Sequence, residues 1–394
     1  MTPRAEQTLV RLASWMSFEA AQELLEDLLG VHVSKATARR ATLASGEAQL
    51  AVCEQEEERL KQELPPAPAG ADRQVLSGDG AFVHLVAGEW VEVKTLALGE
   101  VTPTTRGEVC TQHLSYFSRL SDATSFEQAA LVETQRRGLE RASEVCAVQD
   151  GAEWLQGLVD YHRADAVRIL DFAHAAEYIN AIGQAVQAAG GRLPDKWLEG
   201  VLHRLKHQGP ARVLKHLSWL AVRHPNPTIQ EKLAYLQKRE AHMQYPRYQE
   251  AGWPIGSGSV ESANKVVVEA RLKGAGMRWE RQNVNPMLAL RNAVCNRRWN
   301  ETWQASVTQR QARRTSQRQA DSHQRLTQAF WTLVCCGARV YRLTHPSVGA
   351  TEPAAAVSPP PPVRPLSSGY SWRQPFLRRP ASPSAGTGEV GAKK

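Results

Sequence analysis

The sequence lacks the cysteine pattern of a disulfide-stapled or secreted protein. Its six cysteines include no Cys-x-x-Cys pair and form no regular framework, so we interpret them as reduced thiols. No uncharged run reaches the roughly 18 residues that a membrane span requires, and no apolar core follows Met1 as it would in a secretory signal. These absences predict a soluble, cytoplasmic protein that makes no contact with membranes.

The chain has 394 residues, with 42% hydrophobic and 22% charged residues, which is ordinary for a globular protein with two or three domains. Its net charge of +8 favours an anionic partner. The positive charge is unevenly spread, because residues 262–314 contain eleven Lys or Arg against three Glu. This basic segment indicates nucleic acid as the partner.

Two short apolar runs, 145–149 and 167–170, each end in an acidic residue, Asp150 and Asp171, and a helix-length amphipathic segment separates them. The pattern predicts a strand–helix–strand unit with parallel strands. Functional groups of open α/β sheets collect at the carboxyl ends of such strands. Upstream, Asp79 lies within another apolar run, and downstream Glu261 follows a Gly-Ser-Gly loop at the start of a predicted helix.

The order of predicted elements indicates an α/β protein with a ribonuclease-H-like core, by analogy at the level of the fold. We predict strands at 75–82, 89–98 and 113–120, a helix at 126–141, and then the strand–helix–strand unit. The predicted regions are 1–64 (helical, DNA-binding), 65–72 (linker), 73–174 (first part of the core), 175–250 (all-α insertion), 251–304 (core completion) and 305–394 (a basic, then Pro-rich, largely disordered tail).

Residues 18–43 have the pattern of a helix-turn-helix. Ser34 is suited to cap a second helix after the turn at Gly30. The predicted DNA-contacting residues of this second helix are Lys35, Thr37, Arg39 and Arg40. A plain helical hairpin with a solvated basic face is the alternative. Residues 47–64 suggest a separate polar helix.

Three acidic residues from distant segments suit a magnesium site. Mg²⁺ prefers oxygen ligands and uses few carboxylates, and two such ions can clamp a phosphodiester. Asp79, Asp150 and Glu261 each lie beside small residues that would let a polyanionic backbone approach. Each acid taken alone could instead serve a turn or a helix cap. Asp171 is an alternative to Asp150 as the second ligand.

Several residues could bind the nucleic-acid backbone near these acids. After Glu261 the sequence contains four basic residues spaced so that several should be exposed, namely Lys265, Arg271, Lys273 and Arg278. His174 is predicted to position a phosphate or a neighbouring loop. Trp279 could stack on a base or could belong to the core. A basic face with no bound partner is the alternative for the whole group.

Five motifs carry a resemblance to a known family. In order they are Ser77-Gly-Asp79-Gly, Gln149-Asp150-Gly-Ala-Glu-Trp154, Asp171-Phe-Ala-His174-Ala, Trp253-Pro-Ile-Gly-Ser-Gly-Ser-Val-Glu261-Ser, and Gly274-Ala-Gly-Met-Arg-Trp279 followed by Met287-Leu-Ala-Leu-Arg291. The series resembles the ISKra-type insertion-sequence transposases, which are distant relatives of the Mutator-like group. The resemblance spans roughly residues 18–303.

The resemblance implies a DDE transposase with a ribonuclease-H-like core and a helical insertion before the glutamate. It also implies that Asp79, Asp150 and Glu261 form the catalytic, metal-binding triad with Mg²⁺, or with Mn²⁺ in its place. The implied partners are the terminal repeats of the element, target DNA and further copies of the chain on paired ends, in a cytoplasmic protein associated with the nucleoid. The Pro-rich end does not resemble the family, which leaves an inactive DNA-binding remnant as an alternative. A nuclease of the same fold is a further alternative.

Overall fold

The computed structural model describes residues 1–103 and 109–344. The strands are β1 (Arg73–His84), β2 (Trp90–Pro103), β3 (Val109–Arg119), β4 (Glu144–Gln149) and β5 (Val167–Leu170). The helices up to the end of the sheet are α1 (Pro3–Trp15), α2 (Phe18–Leu29), α3 (Lys35–Glu63), α4 (Ala123–Arg136) and α5 (Glu153–Arg163). Each predicted strand coincides with an observed one, within a few residues at the ends.

The later helices are α6 (Phe172–Ala188), α7 (Trp197–Gln208), α8 (Pro210–Arg223), α9 (Pro227–Lys238), α10 (Tyr245–Glu250), α11 (Gly258–Ala263), α12 (Ala270–Leu272), α13 (Arg281–Cys295) and α14 (Trp299–Thr344). Two 3₁₀ turns lie at Leu139–Arg141 and Glu240–Met243, and a π-helical turn, Asn264–Glu269, joins α11 to α12. The predicted absence of strands from 175 to 250 is confirmed.

The five strands form one mixed sheet in the order β3–β2–β1–β4–β5. Neighbouring strands are antiparallel in the β3–β2–β1 part and parallel in the β1–β4–β5 part, so β2 alone runs against the other four. The short apolar runs of β4 and β5 are buried because helices cover both faces of this part of the sheet. The α/β class predicted from the sequence is confirmed.

Alternating side chains of β1 pack on two helical layers. Leu76 belongs to a core cluster with Phe126 of α4 and residues of α5. Val75, on the opposite face, packs with the helices from α6 to α10, and Ala81 packs with the π-helical turn and α13. Because side chains alternate along a strand, Asp79 shares the face of Val75 and Ala81. Asp79 therefore lies on β1 between Val75, which packs on α6 to α10, and Ala81, which packs on the π-helical turn and α13.

The N-terminal helices differ from the prediction in two respects. An additional helix, α1, packs with α2 and the start of α3. The predicted helix at 47–64 is the second half of α3, a single helix of 29 residues. Gly46 lies within this helix, where the absence of a side chain lets α13 approach. A Cβ at Gly46 would lie 2.4 Å from the carbonyl oxygen of Pro286.

A short break separates the last two helices. Helix α13 ends at Cys295, and α14 begins at Trp299 after Arg297, which has a positive φ of 59°. A non-glycine residue in that conformation breaks a helix. Residues 305–344, the first part of the tail that is predicted to be largely disordered, are helical. The predicted disorder of 345–394 lies outside the described residues.

Met1–Asp321 form one compact unit, and a second begins at Ser322 within α14. Helices α1, α2 and α3 of the first unit share core clusters with one another and with α13 and α14. The boundary predicted at 65–72 stays a prediction. Within the described ranges, no helix has both the length and the apolar character needed to cross a membrane.

Candidate active site

Three aspartates lie in one row across the sheet because the parallel strands align them. The β1–β4 pairing ends with Leu76 opposite Ala147, and three further residues on each strand bring Asp79 level with Asp150. The β4–β5 pairing ends one residue before Asp150 and Asp171, which are therefore also level. Neighbouring strands are about 4.8 Å apart. The row thus brings together carboxylates that are 71 and 21 residues apart in the sequence.

Asp79 is held by two hydrogen bonds and repelled by two charges. Its Oδ1 accepts from the Gly80 N–H at 2.7 Å, and its Oδ2 accepts from Nδ2 of Asn264 at 2.8 Å. Burial raises the pKa of the Asp79 carboxyl, and the charges of Asp150 and Glu261 raise it further, against the two hydrogen bonds. The charges of both other predicted acids, Asp150 and Glu261, therefore act on Asp79.

Asp171 uses its carboxylate to join two backbone segments. It is 3% exposed, and Oδ1 caps α6 by accepting from the N–H groups of Ala173 at 2.6 Å and His174 at 3.1 Å. Oδ2 accepts from the Ser257 N–H at 2.6 Å, in the loop before Glu261. Both oxygens are thus committed to backbone donors. This arrangement favours Asp150 over Asp171 as the second acid of the site.

Glu261 and Asn264 come from the helical segment at which α11 passes into the π-helical turn. They are three residues apart, so they lie on the same side of the helix. Glu261 is exposed, and its one hydrogen bond, from Ser257 Oγ, is long at 3.4 Å. Asn264 is 6% exposed, and its Oδ1 is buried without a hydrogen-bond partner. Single π-helical turns are frequent at functional sites.

The backbone that follows β4 is held by two residues at the C-terminal end of α9. The Tyr235 hydroxyl donates to the Asp150 carbonyl oxygen, and the Arg239 guanidinium donates to the Gly151 carbonyl oxygen at 2.6 Å. Gly151 has a φ of 82°, and a Cβ there would lie 2.5 Å from Arg239 Nε. Only glycine suits this position. The turn also lets the Ala152 N–H donate to Asp150 Oδ1 at 2.8 Å.

A column of aromatic and cationic side chains supports this turn. Arg239 lies 3.7 Å above the ring of Tyr235, which stacks on Tyr178 with a centroid distance of 3.9 Å. Lys232 lies 4.9 Å from the ring of Tyr178. His174 contacts the column from the side, with centroid distances of 5.1 Å to Tyr178 and 6.0 Å to Tyr235. Half-buried His174 therefore lies next to the Asp150 turn.

The basic residues that follow Glu261 divide into exposed and buried ones. Lys265, Lys273 and Arg278 are exposed. Arg271 and Trp279 are 2% and 6% exposed, so their side chains belong to the interior in this structure. The expectation that several residues of this series are exposed is confirmed. Trp279 packs edge-on against Phe18, with centroids 6.4 Å apart, within the core.

At the start of α3 the predicted cap and turn are present. Gly30 ends α2 with a left-handed conformation, and the Ser34 side chain accepts from the Thr37 N–H at 3.2 Å. The cationic side chains Lys35, Arg39 and Arg40 are exposed, and Thr37 is half-buried. Arg40 donates to Thr37 Oγ1 at 3.3 Å and Lys35 pairs with Glu19 at 3.0 Å.

The donors present at the site suit a hard divalent cation. Within 1–103 and 109–344, no three His, Cys, Asp or Glu side chains have the spacing of a metal site. Burial is the largest cause of the raised pKa of Asp79, and the charges of Asp150 and Glu261 add to it. A cation among the carboxylates would relieve that repulsion. The unpartnered buried Oδ1 of Asn264 adds another oxygen next to Asp79. The oxygens of Asp79, Asp150 and Glu261 match the ligand chemistry predicted from the sequence, but in the described residues the three do not stand at metal-ligand spacing.

Sequence reasoning missed Asn264, Tyr235 and Arg239. The spacing of three residues between Glu261 and Asn264 was a usable signal, because both residues had to lie on one helical face. Tyr235 and Arg239 gave no signal, since nothing in a sequence connects them with a turn more than eighty residues earlier. A scan against protein-family models and a search of the curated proteins both found no match to this chain.

Proposed function

We propose that the chain is a DDE-type DNA transposase that cleaves and transfers DNA strands, with a divalent metal, at the ends of an insertion sequence. One observation carries the proposal. Strand register brings Asp79 level with Asp150 on the adjacent strand, and Asn264, three residues after Glu261, donates a hydrogen bond to Asp79. Carboxylates brought together from distant parts of the sequence are typical of sites that perform metal-assisted phosphoryl transfer.

The arrangement of elements supports a ribonuclease-H-like core as part of this proposal. The sheet order β3–β2–β1–β4–β5 has β2 alone reversed, and an all-helical region separates β5 from the helix of Glu261. The same proposal assigns a DNA-binding helix-turn-helix to α2 and α3, supported by the exposed cations at the start of α3. Fold-level likeness alone does not define an activity, so the acidic site remains the main support.

The chain's own residues would bind, orient and neutralise the substrate. When bound, Mg²⁺ or Mn²⁺ would supply Lewis-acid stabilisation of the attacking and leaving oxygens. Asp79 and Asp150 are fixed by the backbone of neighbouring strands, and Asn264 orients Asp79 through its amide. Lys265 and Lys273 would neutralise DNA phosphates on the exposed side of the helical segment. Together these residues would position a DNA backbone next to the carboxylates.

The proposed partners are the terminal repeats of the element and target DNA, bound by more than one copy of the chain on paired ends. The proposed location is the cytoplasm, in association with the nucleoid. A transposase must bring two ends together before strands are joined, so a homo-oligomer on DNA is part of the proposal.

The test uses purified full-length protein and a supercoiled plasmid that carries the genomic DNA flanking the coding sequence. We expect nicking and joining with Mg²⁺, no reaction with EDTA, and loss of the reaction in Asp79→Asn. Asp72→Asn is the matched control, because Asp72 lies next to the start of β1 and is exposed. Glu261→Gln and Glu269→Gln form a second pair on one helical segment.

Each outcome separates the proposal from its alternatives. Cleavage without joining in wild-type protein would indicate a nuclease of the same fold. Binding of the flanking DNA without cleavage in either metal would indicate a non-catalytic DNA-binding protein. Equal activity of Asp79→Asn and Asp72→Asn would show that Asp79 is not part of the active site.

A further inference from the structure

A cavity of about 320 Å³ lies where the N-terminal helices meet the segment that follows the π-helical turn. Its walls come from α2, α3, the β1–β2 connection, residues 277–280 and α13. Four cationic side chains line it, namely Lys35, Arg39, Arg271 and Arg278, against one carboxylate, Glu280. The cavity therefore combines two groups of residues that the sequence places more than 200 positions apart.

Two buried hydrogen-bond donors in the cavity wall have no acceptor. Nη2 of Arg271 and Nε1 of Trp279 are both buried and unpartnered, and both residues line the cavity. Their other contacts are fixed. Arg271 Nε donates to the Ala13 carbonyl oxygen at 2.8 Å, and its guanidinium lies 4.8 Å from Phe18 and 5.1 Å from Trp279. Unsatisfied buried donors cost free energy, so an acceptor at this point would be stabilising.

The positive charge around Arg271 is also uncompensated. Arg291 is fully buried, and its guanidinium donates to the carbonyl oxygens of Ser14, Val266 and Val267 but to no carboxylate. Burial, and then the charge of Arg291, lowers the pKa of Arg271 to about 10. Arg271 therefore remains charged at neutral pH. Buried cations without a counter-ion favour the binding of an anion nearby.

We propose that this cavity binds one phosphate group, which Arg271 and Trp279 contact from the wall and Arg39 and Arg278 contact from the rim. Phosphate oxygens accept hydrogen bonds and carry no donor in the ionised form, so they match a wall of unpartnered N–H groups. The inference rests on the proposed function for the source of the phosphate, which we assign to a DNA backbone. It would make α3 and the segment after Glu261 contact the same nucleotide.

The experiment replaces the two exposed arginines, because a change at buried Arg271 would disturb the core. Arg39→Ala and Arg278→Ala are compared with Arg281→Ala, which removes an exposed arginine that does not line the cavity. The first measurement is the Tm of the full chain with inorganic phosphate, chloride or acetate at equal ionic strength. We expect phosphate to raise the Tm of wild type and Arg281→Ala by about 2–4 °C, and to raise it less in the other two variants.

The second measurement is binding of a DNA duplex in EDTA, as a function of salt. Each cavity variant should lower the slope of log K against log salt by about one. The double variant Arg39→Ala/Arg278→Ala should also lower it by about one rather than two, because both residues contact one phosphate. Cleavage is not involved in this measurement, so its outcome is independent of the proposed activity.

Three outcomes would overturn the inference. Equal stabilisation by acetate and phosphate would show that the cavity does not select phosphate. If Arg281→Ala had as large an effect as Arg278→Ala, binding would depend on general surface charge and not on the cavity. Stabilisation by inorganic phosphate together with additive salt slopes would assign the site to free phosphate and not to DNA. If the wild-type protein did not cleave DNA but the salt slopes of the variants were non-additive as expected, only the proposed function would be contradicted.

Discussion

Opposing effects act on the ionised form of the Asp79 carboxylate. Its two hydrogen bonds stabilise the ionised form, while burial and the charges of Asp150 and Glu261 destabilise that form. A group held in this balance responds strongly to small changes among its neighbours.

The two aspartates beside it should respond differently to substitution. Asp150→Asn should abolish cleavage, because it removes a charge from the proposed metal site, but should leave DNA affinity and stability near wild type. Asp171→Ala should lower the free energy of unfolding by about 2–3 kcal/mol, because it leaves buried N–H donors unpartnered. Urea denaturation and a cleavage assay measure both effects. If Asp171→Asn abolished cleavage and Asp150→Asn did not, our assignment of the second acid would be wrong.

Asn264→Ala should change the pH dependence of cleavage. Loss of the amide donor removes a hydrogen bond that favours ionised Asp79, so the pKa of Asp79 rises further and the acid limb of the pH–rate profile moves to higher pH. Asn300→Ala is the control, since Asn300 is exposed. An unchanged acid limb in Asn264→Ala would separate Asn264 from the chemistry of Asp79.

At the scale of elements, α9 has a role that its sequence does not suggest. Its last turns contact the β4 end through the Tyr235 hydroxyl, while Arg239 contacts the next carbonyl. The helical region from α6 to α10 therefore supports the turn that carries Asp150. The π-helical turn has a comparable role on the other side, since it places Asn264 against Asp79.

Tyr235→Phe tests the contact between α9 and the Asp150 turn. The ring can keep its stacking with Tyr178 and Arg239, so the change removes only the hydrogen bond, which contributes about 0.5–1.5 kcal/mol. We expect the cleavage rate to fall about threefold to tenfold, with DNA affinity unchanged. Tyr161→Phe is the matched control, because Tyr161 is an exposed tyrosine of α5. A fall in DNA affinity with an unchanged rate would contradict a positioning role.

At the scale of the whole molecule, acid should destabilise the fold partly through His162. Burial between α4 and α5 lowers its pKa from 6.5 to about 4, and its Nε2 donates to the Glu127 carbonyl oxygen at 2.9 Å. The unfolded chain therefore takes up this proton first as the pH falls. The free energy of unfolding should decrease from pH 6.5 to about 4 by about 3 kcal/mol from this group, and should not depend on it above pH 6.5.

His162→Gln should remove that part of the pH dependence. The measurement is the free energy of unfolding by urea at several pH values, with exposed His323→Gln as the control. The raised pKa of Asp79 acts in the opposite direction, since protonation of that carboxyl stabilises the fold, so the difference between variant and wild type isolates His162. Parallel curves for His162→Gln and wild type would contradict a neutral buried histidine.

Local information in the sequence was enough for much of the fold. The apolar runs predicted the five described strands, and Ser34 predicted the start of α3, because apolar runs and capping residues act over a few neighbours. Ends of helices were less predictable. The position of Gly46 in a continuous α3 depends on contact with Pro286, and the break before α14 depends on the conformation of Arg297, which neighbours in sequence do not specify.

The sequence by itself determined the α/β class and the positions of the strands, and it singled out the three acids proposed for the site, because hydrophobic periodicity and residue chemistry are local properties. Only the tertiary structure decided that Asp79 and Asp150 are level on adjacent strands, that Asp171 is used by backbone donors, and that Tyr235 and Asn264 support the site. It also buried Arg271 and Trp279 in the wall of a cavity that α3 completes. These features depend on strand register and on packing between distant segments, which arise only when the chain is folded.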